Sequence, residues 1–136
     1  MATVVPVPAD VRLQSGGSVQ SVQAGEAIQA GDFFYISTVD NKAYLSDATT
    51  SAEAYVNGIA LSPAALDELF TATTGGGAVD LGTPLVDGEL YVVSPTAGSI
   101  MPYADLVATD WITWACLGDV NGHATIFHKA IGVQKV

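Results

Sequence analysis

Gly31-Asp32-Phe33-Phe34-Tyr35-Ile36-Ser37-Thr38-Val39-Asp40-Asn41-Lys42-Ala43-Tyr44-Leu45 is the stretch that decides the fold. Gly31-Asp32 is a turn signal. The run after it is aromatic and β-branched, the side chains that fit a pleated, half-buried surface. Asp40-Asn41 reverses the chain, because Asn tolerates positive φ. Ala43-Tyr44-Leu45 returns as the partner strand, so the stretch predicts a hairpin. That hairpin recurs. A shift of 57 residues lays Gly25 on Gly82, Ile28 on Leu85, Gly31 on Gly88, Asp32 on Glu89, Ile36 on Val93 and Ser37 on Ser94. Asn41 then falls on Gly98 at the second reversal, between strands predicted over 90–93 and 99–103. Both copies continue through a loop into an apolar strand, 55–61 and 111–117. Gly58 inside the first of these predicts a bulge or a close backbone approach. The pseudo-repeats span about 24–61 and 81–118.

Outward from the repeats, Asn121-Gly122 is the strongest short hairpin-turn dipeptide of the chain, with 124–128 as its return strand. Residues 130–136 read as a last short strand or a tail. The stretch 14–21 is rich in Gly, Ser and Gln and reads as a loop, as do 46–53 and the glycine-bearing 71–78. One helix is predicted over 62–70. Ser62 is the N-cap, Pro63 holds the first helical position, and Leu66, Leu69 and Phe70 have i, i+3, i+4 spacing. At about two turns it needs packing to hold it. The fold expected is all-β: a small β-barrel or β-sandwich built from two similar hairpin modules, with one short helix between them. Residues 1–13 form an extended N-terminal arm and 14–136 a single β domain. Pro6 and Pro8 keep the arm out of helix. Its apolar side chains cannot bury themselves against one another. The arm is therefore either a frayed terminus or edge strand, or a strap that orders on a neighbouring chain. In the second case Val4, Val5, Pro6, Val7, Pro8 and Val11 are the partner-binding residues.

Composition bounds the partners. The chain has 136 residues, 4 Lys+Arg against 14 Asp+Glu, and a net charge of −10. Surface scaling gives a folded area of about 6,700 Å² for one domain of this mass, enough burial for a real core. Four scattered cations form no basic stripe, which excludes direct nucleic-acid binding. The acidic balance also repels anionic membranes. No apolar run approaches the roughly 18 residues that span a bilayer. Residues 1–10 lack the basic and apolar regions of a signal peptide, so synthesis in the cytoplasm without export by that route is expected. Only 13% of residues are charged. The small neutral side chains that remain cost little to desolvate and suit contact with other protein chains.

The search for chemistry is negative. Cys116, the only cysteine, sits in an apolar run and reads as core. His123 and His128 have no third ligand, so no metal site is expected. Gly75-Gly76-Gly77 lacks the P-loop pattern and its Lys, and no Ser sits in a nucleophile elbow. Asp67 and Glu68 are adjacent and do not converge on one substrate. Trp111 and Trp114 fall on opposite faces of a strand, one of them in the core. No catalytic residue, cofactor or enzymatic activity is expected.

The segments AGEAIQAGDFFYIS, AYLSDA and VNGIAL, followed by GTPLVDGELYVVSPTAGSIMPYADL, ITWACLGDV and HATIFHKAIGVQ, resemble the head decoration, or capsid-cementing, proteins of tailed bacteriophages. The most telling run is 88–106, which reads G-x-x-Y-V-x-S-x-x-x-G-x-I-x-P-x-x-D-L. The resemblance covers roughly 24–133, and 63–70 and 75–77 stand outside its pattern as an apparent insertion. It implies a small β protein on the outer capsid surface of a virion, made in the host cytoplasm. It further implies the phage major capsid protein as partner and a homo-oligomer, with a trimer favoured. Two other readings stand beside it. One is a virion or cell-surface module contacting glycans through Trp111, Trp114, Tyr44 or Tyr103. The other is a tail or baseplate structural protein.

Overall fold

The computed structural model describes residues 3–74 and 77–136. Met1 and Ala2 of the arm, and Gly75 and Gly76 of the predicted glycine loop, lie outside the described residues. In chain order the strands are β1 (Arg12–Ser15), β2 (Val19–Gln23), β3 (Phe33–Ile36), β4 (Ala43–Leu45), β5 (Gly58–Ala60), β6 (Leu69–Thr73), β7 (Ala78–Asp80), β8 (Leu90–Val93), β9 (Ile100–Pro102), β10 (Trp111–Gly118) and β11 (Ala124–Gln134). They form two antiparallel sheets, ordered β2-β6-β5-β3-β4 and β1-β7-β11-β10-β8-β9.

Each sheet is one copy of the repeat. Shifting β3 and β4 by 57 residues gives β8 and β9 to the residue. The pairing moves with them: Phe34 faces Leu45 in the first hairpin, and Tyr91 faces Pro102 in the second. The Ser37 N–H donates to the Lys42 carbonyl (2.9 Å), as the Ser94 N–H does to that of Ser99 (3.0 Å). Asn41 and Gly98 both take positive φ, at 60° and 81°, where the reversal requires it. The correspondence extends past 24–61 and 81–118. β2 pairs with β6 as β7 pairs with β11, and β5 lies between β3 and β6 as β10 lies between β8 and β11. Among the described residues, β1 is the one strand of the second sheet that has no counterpart in the first.

Two predictions are corrected here. Residues 62–70 are not a helix. Ala64 instead exchanges two backbone hydrogen bonds with Ile28 (2.9 and 3.0 Å), and the Asp67 N–H donates to the Ala24 carbonyl (2.8 Å). These tertiary partners take donors that two helical turns would have used. Asp67 also has φ 67°, which no helix contains. From Leu69 the period is two: Leu69 is exposed and Phe70 is buried. Leu69 and Phe70 of the apparent insertion therefore open the fifth strand of its sheet. Residues 14–21 are mostly strand as well. β1 and β2 flank Gly16-Gly17, both at positive φ, where the chain passes from one sheet to the other. Of the two readings of 130–136, the strand holds, and it continues the return strand, since β11 runs from Ala124 to Gln134.

The solvent-accessible area is 6406 Å², close to the scaling expectation. The main core draws on both sheets, with Phe33 and Ile59 from the first meeting Val79, Val93, Ile100 and Cys116 from the second. A second cluster belongs to the first sheet alone. Its centre is Phe34 against Phe70, edge to face at 5.3 Å, with Val22, Ile28 and several alanines around them. Alternation along β3 thus sends Phe33 and Phe34 into different cores. The two copies are also tied through a loop: the Trp111 N–H donates to the Ala48 carbonyl (2.8 Å), and the Ala48 N–H donates to that of Ser94 (3.1 Å).

Candidate functional site

The arm lies on its own domain. The Val4 N–H donates to the Ile100 carbonyl (2.8 Å) and the Val7 N–H to that of Leu81 (2.9 Å). Thr83 Oγ1 donates to the Val5 carbonyl (2.6 Å). A 3₁₀ turn, Pro8–Asp10, then bends the chain into β1, so the arm is not extended over its whole length. Two glycines let it lie flush. A Cβ on Gly31 would stand 2.6 Å from Pro6 Cβ, and one on Gly82 would stand 2.8 Å from Val7 Cβ. Of the six residues nominated from sequence, Val11 is core, Val4 packs against the core and Pro6 is half-buried. Val5, Val7 and Pro8 face outward, Val5 at 69% and Val7 at 41% exposure. In the sequence Gly31 reads as a turn signal and Gly82 as the repeat partner of Gly25, so the arm's seat had no signal of its own.

The reactive side chains are placed as structure. Cys116 is fully buried, and burial pushes its thiol pKa far up, which removes the thiolate. Burial likewise holds His128 below its ordinary pKa, against a weaker opposing pull from the Ala115 carbonyl 3.1 Å from Nδ1. Its ring stands edge-on to Phe33 at 6.4 Å. His123 Nε2 lies 3.8 Å from Asp80 in a polar cleft that Asp10 and Arg12 also line. Among the described residues no group of three His, Cys, Asp or Glu side chains could hold a metal ion. Trp111 and Trp114 are both half-buried, and Trp114 is the one that packs against the main core.

Besides a groove of about 420 Å³ lined by Pro8, Ala9, Gln29, Ala30 and Pro63, the concave surface includes two further largely apolar grooves and a narrow cleft. One groove, of about 590 Å³, is lined by Tyr35, Val39, Tyr55 and Val56, among others. The other, of about 290 Å³, is lined by Leu90, Tyr103, Ile112, Trp114 and Ile131. The narrow cleft shares Tyr55 with the first and Ile112 with the second. Burial first, then the charges of Glu53, Glu26, Asp40 and Asp47, hold the Tyr35 phenol above its ordinary pKa. Beside the second groove Lys129 Nζ sits 5.9 Å from the Trp114 ring and Lys135 Nζ 4.8 Å from the Tyr103 ring. Half of the chain's four cations therefore border one groove.

No known protein family, no curated protein and no solved structure matches the chain.

Proposed function

We propose that this chain is a structural virion protein that binds the outer surface of an assembled phage capsid and cements it, with the major capsid protein as its partner. The observation that carries the reading is the run 88–106 and its resemblance to the capsid-decorating class. In the fold the run is one unit: β8, the reversal at Gly98, β9 and the 3₁₀ turn Tyr103–Asp105. Its marked residues each hold that unit in place. Gly88 and Gly98 supply positive φ. The Tyr91 hydroxyl accepts from the Val86 N–H (3.0 Å), Ser94 Oγ accepts from the Thr96 N–H (2.9 Å), and Ile100 is buried. A small sandwich carrying the hairpin of that unit twice, with apolar side chains held outward on a fixed arm, fits a role made of contacts rather than reactions.

The mechanism is mass action. A protein that binds the assembled lattice and not its dissociated subunits stabilises the lattice. Many identical copies on one shell do this collectively without a strong single contact. The contact residues on the arm are Val5, Val7 and Pro8. Val4, Pro6 and Val11 serve by fixing the arm's path.

The test mixes the purified chain with expanded, undecorated capsids and measures co-sedimentation and resistance of the shell to heat. Binding with a raised disruption temperature is the expected result, and a Val5→Asp/Val7→Asp variant loses it while keeping its own melting temperature. Absence of both binding and stabilisation overturns the reading. Glycan-array binding without capsid affinity would replace it by the surface-module reading.

A further inference from the structure

We propose that Asn121 is a modification site, a carboxamide that the Gly122 backbone nitrogen converts to aspartate and isoaspartate without an enzyme. The reaction is fastest where Gly follows Asn, because no side chain then shields the attacking nitrogen. The chain has two such pairs, Asn57-Gly58 and Asn121-Gly122. The fold holds them in opposite ways.

Asn57 is exposed but locked. Its Oδ1 accepts from the Ile36 N–H (2.8 Å), and its own N–H donates to the Phe34 carbonyl (2.7 Å). Gly58 is buried and opens β5, which lies between β3 and β6. Attack at Asn57 therefore needs an inner strand to leave its sheet. Asn121 is exposed on a reversal. Its carboxamide makes no hydrogen bond among the described residues, and its N–H is held by Asp119 Oδ1 (2.9 Å). The Gly122 N–H donates to the Asp119 carbonyl (3.0 Å) across that surface turn. Such a turn opens at far lower cost than an inner strand.

Once that bond opens, the Gly122 nitrogen bonds to Asn121 Cγ. The Cγ–Nδ2 bond breaks, and the amide nitrogen leaves as ammonia with the proton that the Gly122 nitrogen gives up. The product is a cyclic succinimide. Water opens the ring at either carbonyl, giving aspartate or, with the main chain rerouted through Cγ, isoaspartate. Each conversion adds a negative charge to a chain already at −10. The charge falls beside the Asp119 carboxylate, which accepts from the Asn121 and His123 N–H groups (2.9 Å each). It also falls in the cleft that Asp10 and Asp80 line. The Gly122 carbonyl accepts from the Leu85 N–H (2.9 Å), so a loosened reversal releases that neighbour as well. None of this depends on capsid binding.

The test incubates the full chain at mildly alkaline pH beside a sample unfolded in guanidinium chloride, and maps both by peptide mass spectrometry. The expected result is the amide-to-acid mass gain, with isoaspartate, at Asn121 of the folded chain. There Asn121 converts at least about tenfold faster than Asn57, the ratio that an opening cost of roughly 1.4 kcal/mol at β5 imposes. In denaturant the two convert at similar rates, which ties the difference to the fold. Asn121→Ser abolishes the folded chain's gain, and its melting temperature establishes that it folds. Hydrogen exchange at Leu85 quickens as conversion proceeds. A folded chain that converts Asn57 as fast as Asn121 overturns the proposal. So does an Asn121 that stays intact in the folded chain while the unfolded sample converts.

Discussion

The two sheets answer one structural problem differently. In the first copy the sheet closes on itself. Ala24 at the end of β2 meets Ala43 on β4 in a parallel bridge, and the Gly25 N–H donates to the Ala43 carbonyl (2.8 Å). The equivalents in the second copy are Leu81 and Ile100. There the arm takes both carbonyls, with Val7 on Leu81 and Val4 on Ile100. Alanines allow the direct closure, whereas the larger Leu81 and Ile100 point into the shared core while the arm covers their backbone. A duplicated unit can therefore hold its register while the covering of its edge passes to another segment. The arm is the second copy's missing edge, which is why its hydrogen bonds are spent within the chain.

The sharpest way to break the likeness is at β10. The register slips between Trp114 and Cys116, so Gly118 takes the place of Ala60. The Gly118 N–H donates to the Glu89 carbonyl (3.0 Å), as the Ala60 N–H does to that of Asp32 (2.9 Å). A Cβ on Gly118 would stand 2.1 Å from the Val86 carbonyl oxygen, while Ala60 carries its methyl buried in the first sheet's core. Gly118→Ala is expected to cost about 3 kcal/mol, because backbone and not a movable side chain must give way. Ala60→Gly should cost only about 1 kcal/mol. Chemical denaturation of the two variants measures the gap, and equal costs would show that the Val86 backbone does not confine Gly118.

Removing residues 1–5 is the next largest break. It deletes the Val4–Ile100 and Thr83–Val5 hydrogen bonds and the packing of Val4, for a loss of about 2 kcal/mol at roughly 1 kcal/mol per bond. The loss is local. Hydrogen exchange should quicken at β9 and leave β4 unchanged, because β4 is closed by Ala24. Equal quickening of both strands would mean that the arm supports the whole domain rather than one copy.

What was legible in the sequence follows from where the information sits. β3, β4, β8 and β9 carry their own signal in adjacent residues: alternation, aromatic and β-branched content, and a turn residue at Asn41 or Gly98. The Asn121-Gly122 reversal was legible for the same reason, and the Asp119 carboxylate completes it by accepting from the Asn121 and His123 N–H groups (2.9 Å each). β1, β2 and β6 were not legible. Polar and small residues interrupt their apolar ones, and the partners that make them strands are distant, as in Val19 opposite Thr73. The 62–70 segment misled for a physical reason. Its capping and spacing were helical, but the carbonyls of Ile28 and Ala24 outcompeted a two-turn helix for its donors. The grooves show the same division. Tyr35, Trp111 and Trp114 stood out as aromatic residues, but the approach of Tyr55 to Ile112 and the placing of Lys129 and Lys135 exist only in the fold.

The reversals give a finer comparison. Gly98 at φ 81° packs close to the first copy, and a Cβ there would stand 3.1 Å from Leu45 Cδ2 and 3.2 Å from Asp32 Cγ. Gly98→Ala is expected to cost roughly 1–2 kcal/mol from left-handed strain and this contact together. Asn41→Gly at the equivalent turn should change stability by only a few tenths, since both residues accept that conformation. Thermal melts of the pair separate the two, and a larger loss at Asn41 would assign the tighter turn to the first copy.

Asp32 carries the smallest effect and touches both copies. Its carboxylate accepts from the Gln29 N–H (2.9 Å) and lies beside Gly98 of the second copy. Burial, the dominant cause, pushes its pKa up from 3.8 to about 6; the Gln29 bond opposes this and the nearby Glu26 adds to it. A carboxyl whose folded pKa is raised binds its proton more tightly in the native state. Its contribution to stability is therefore complete below 3.8 and lost as the pH rises through about 6. Asp32→Asn keeps an oxygen for the Gln29 N–H and removes the titration. The stability of the wild type relative to this variant should fall across that pH window and stay level above it. A difference that rises with pH would mean that the carboxylate, not the carboxylic acid, is the form that holds the first copy's turn against the second.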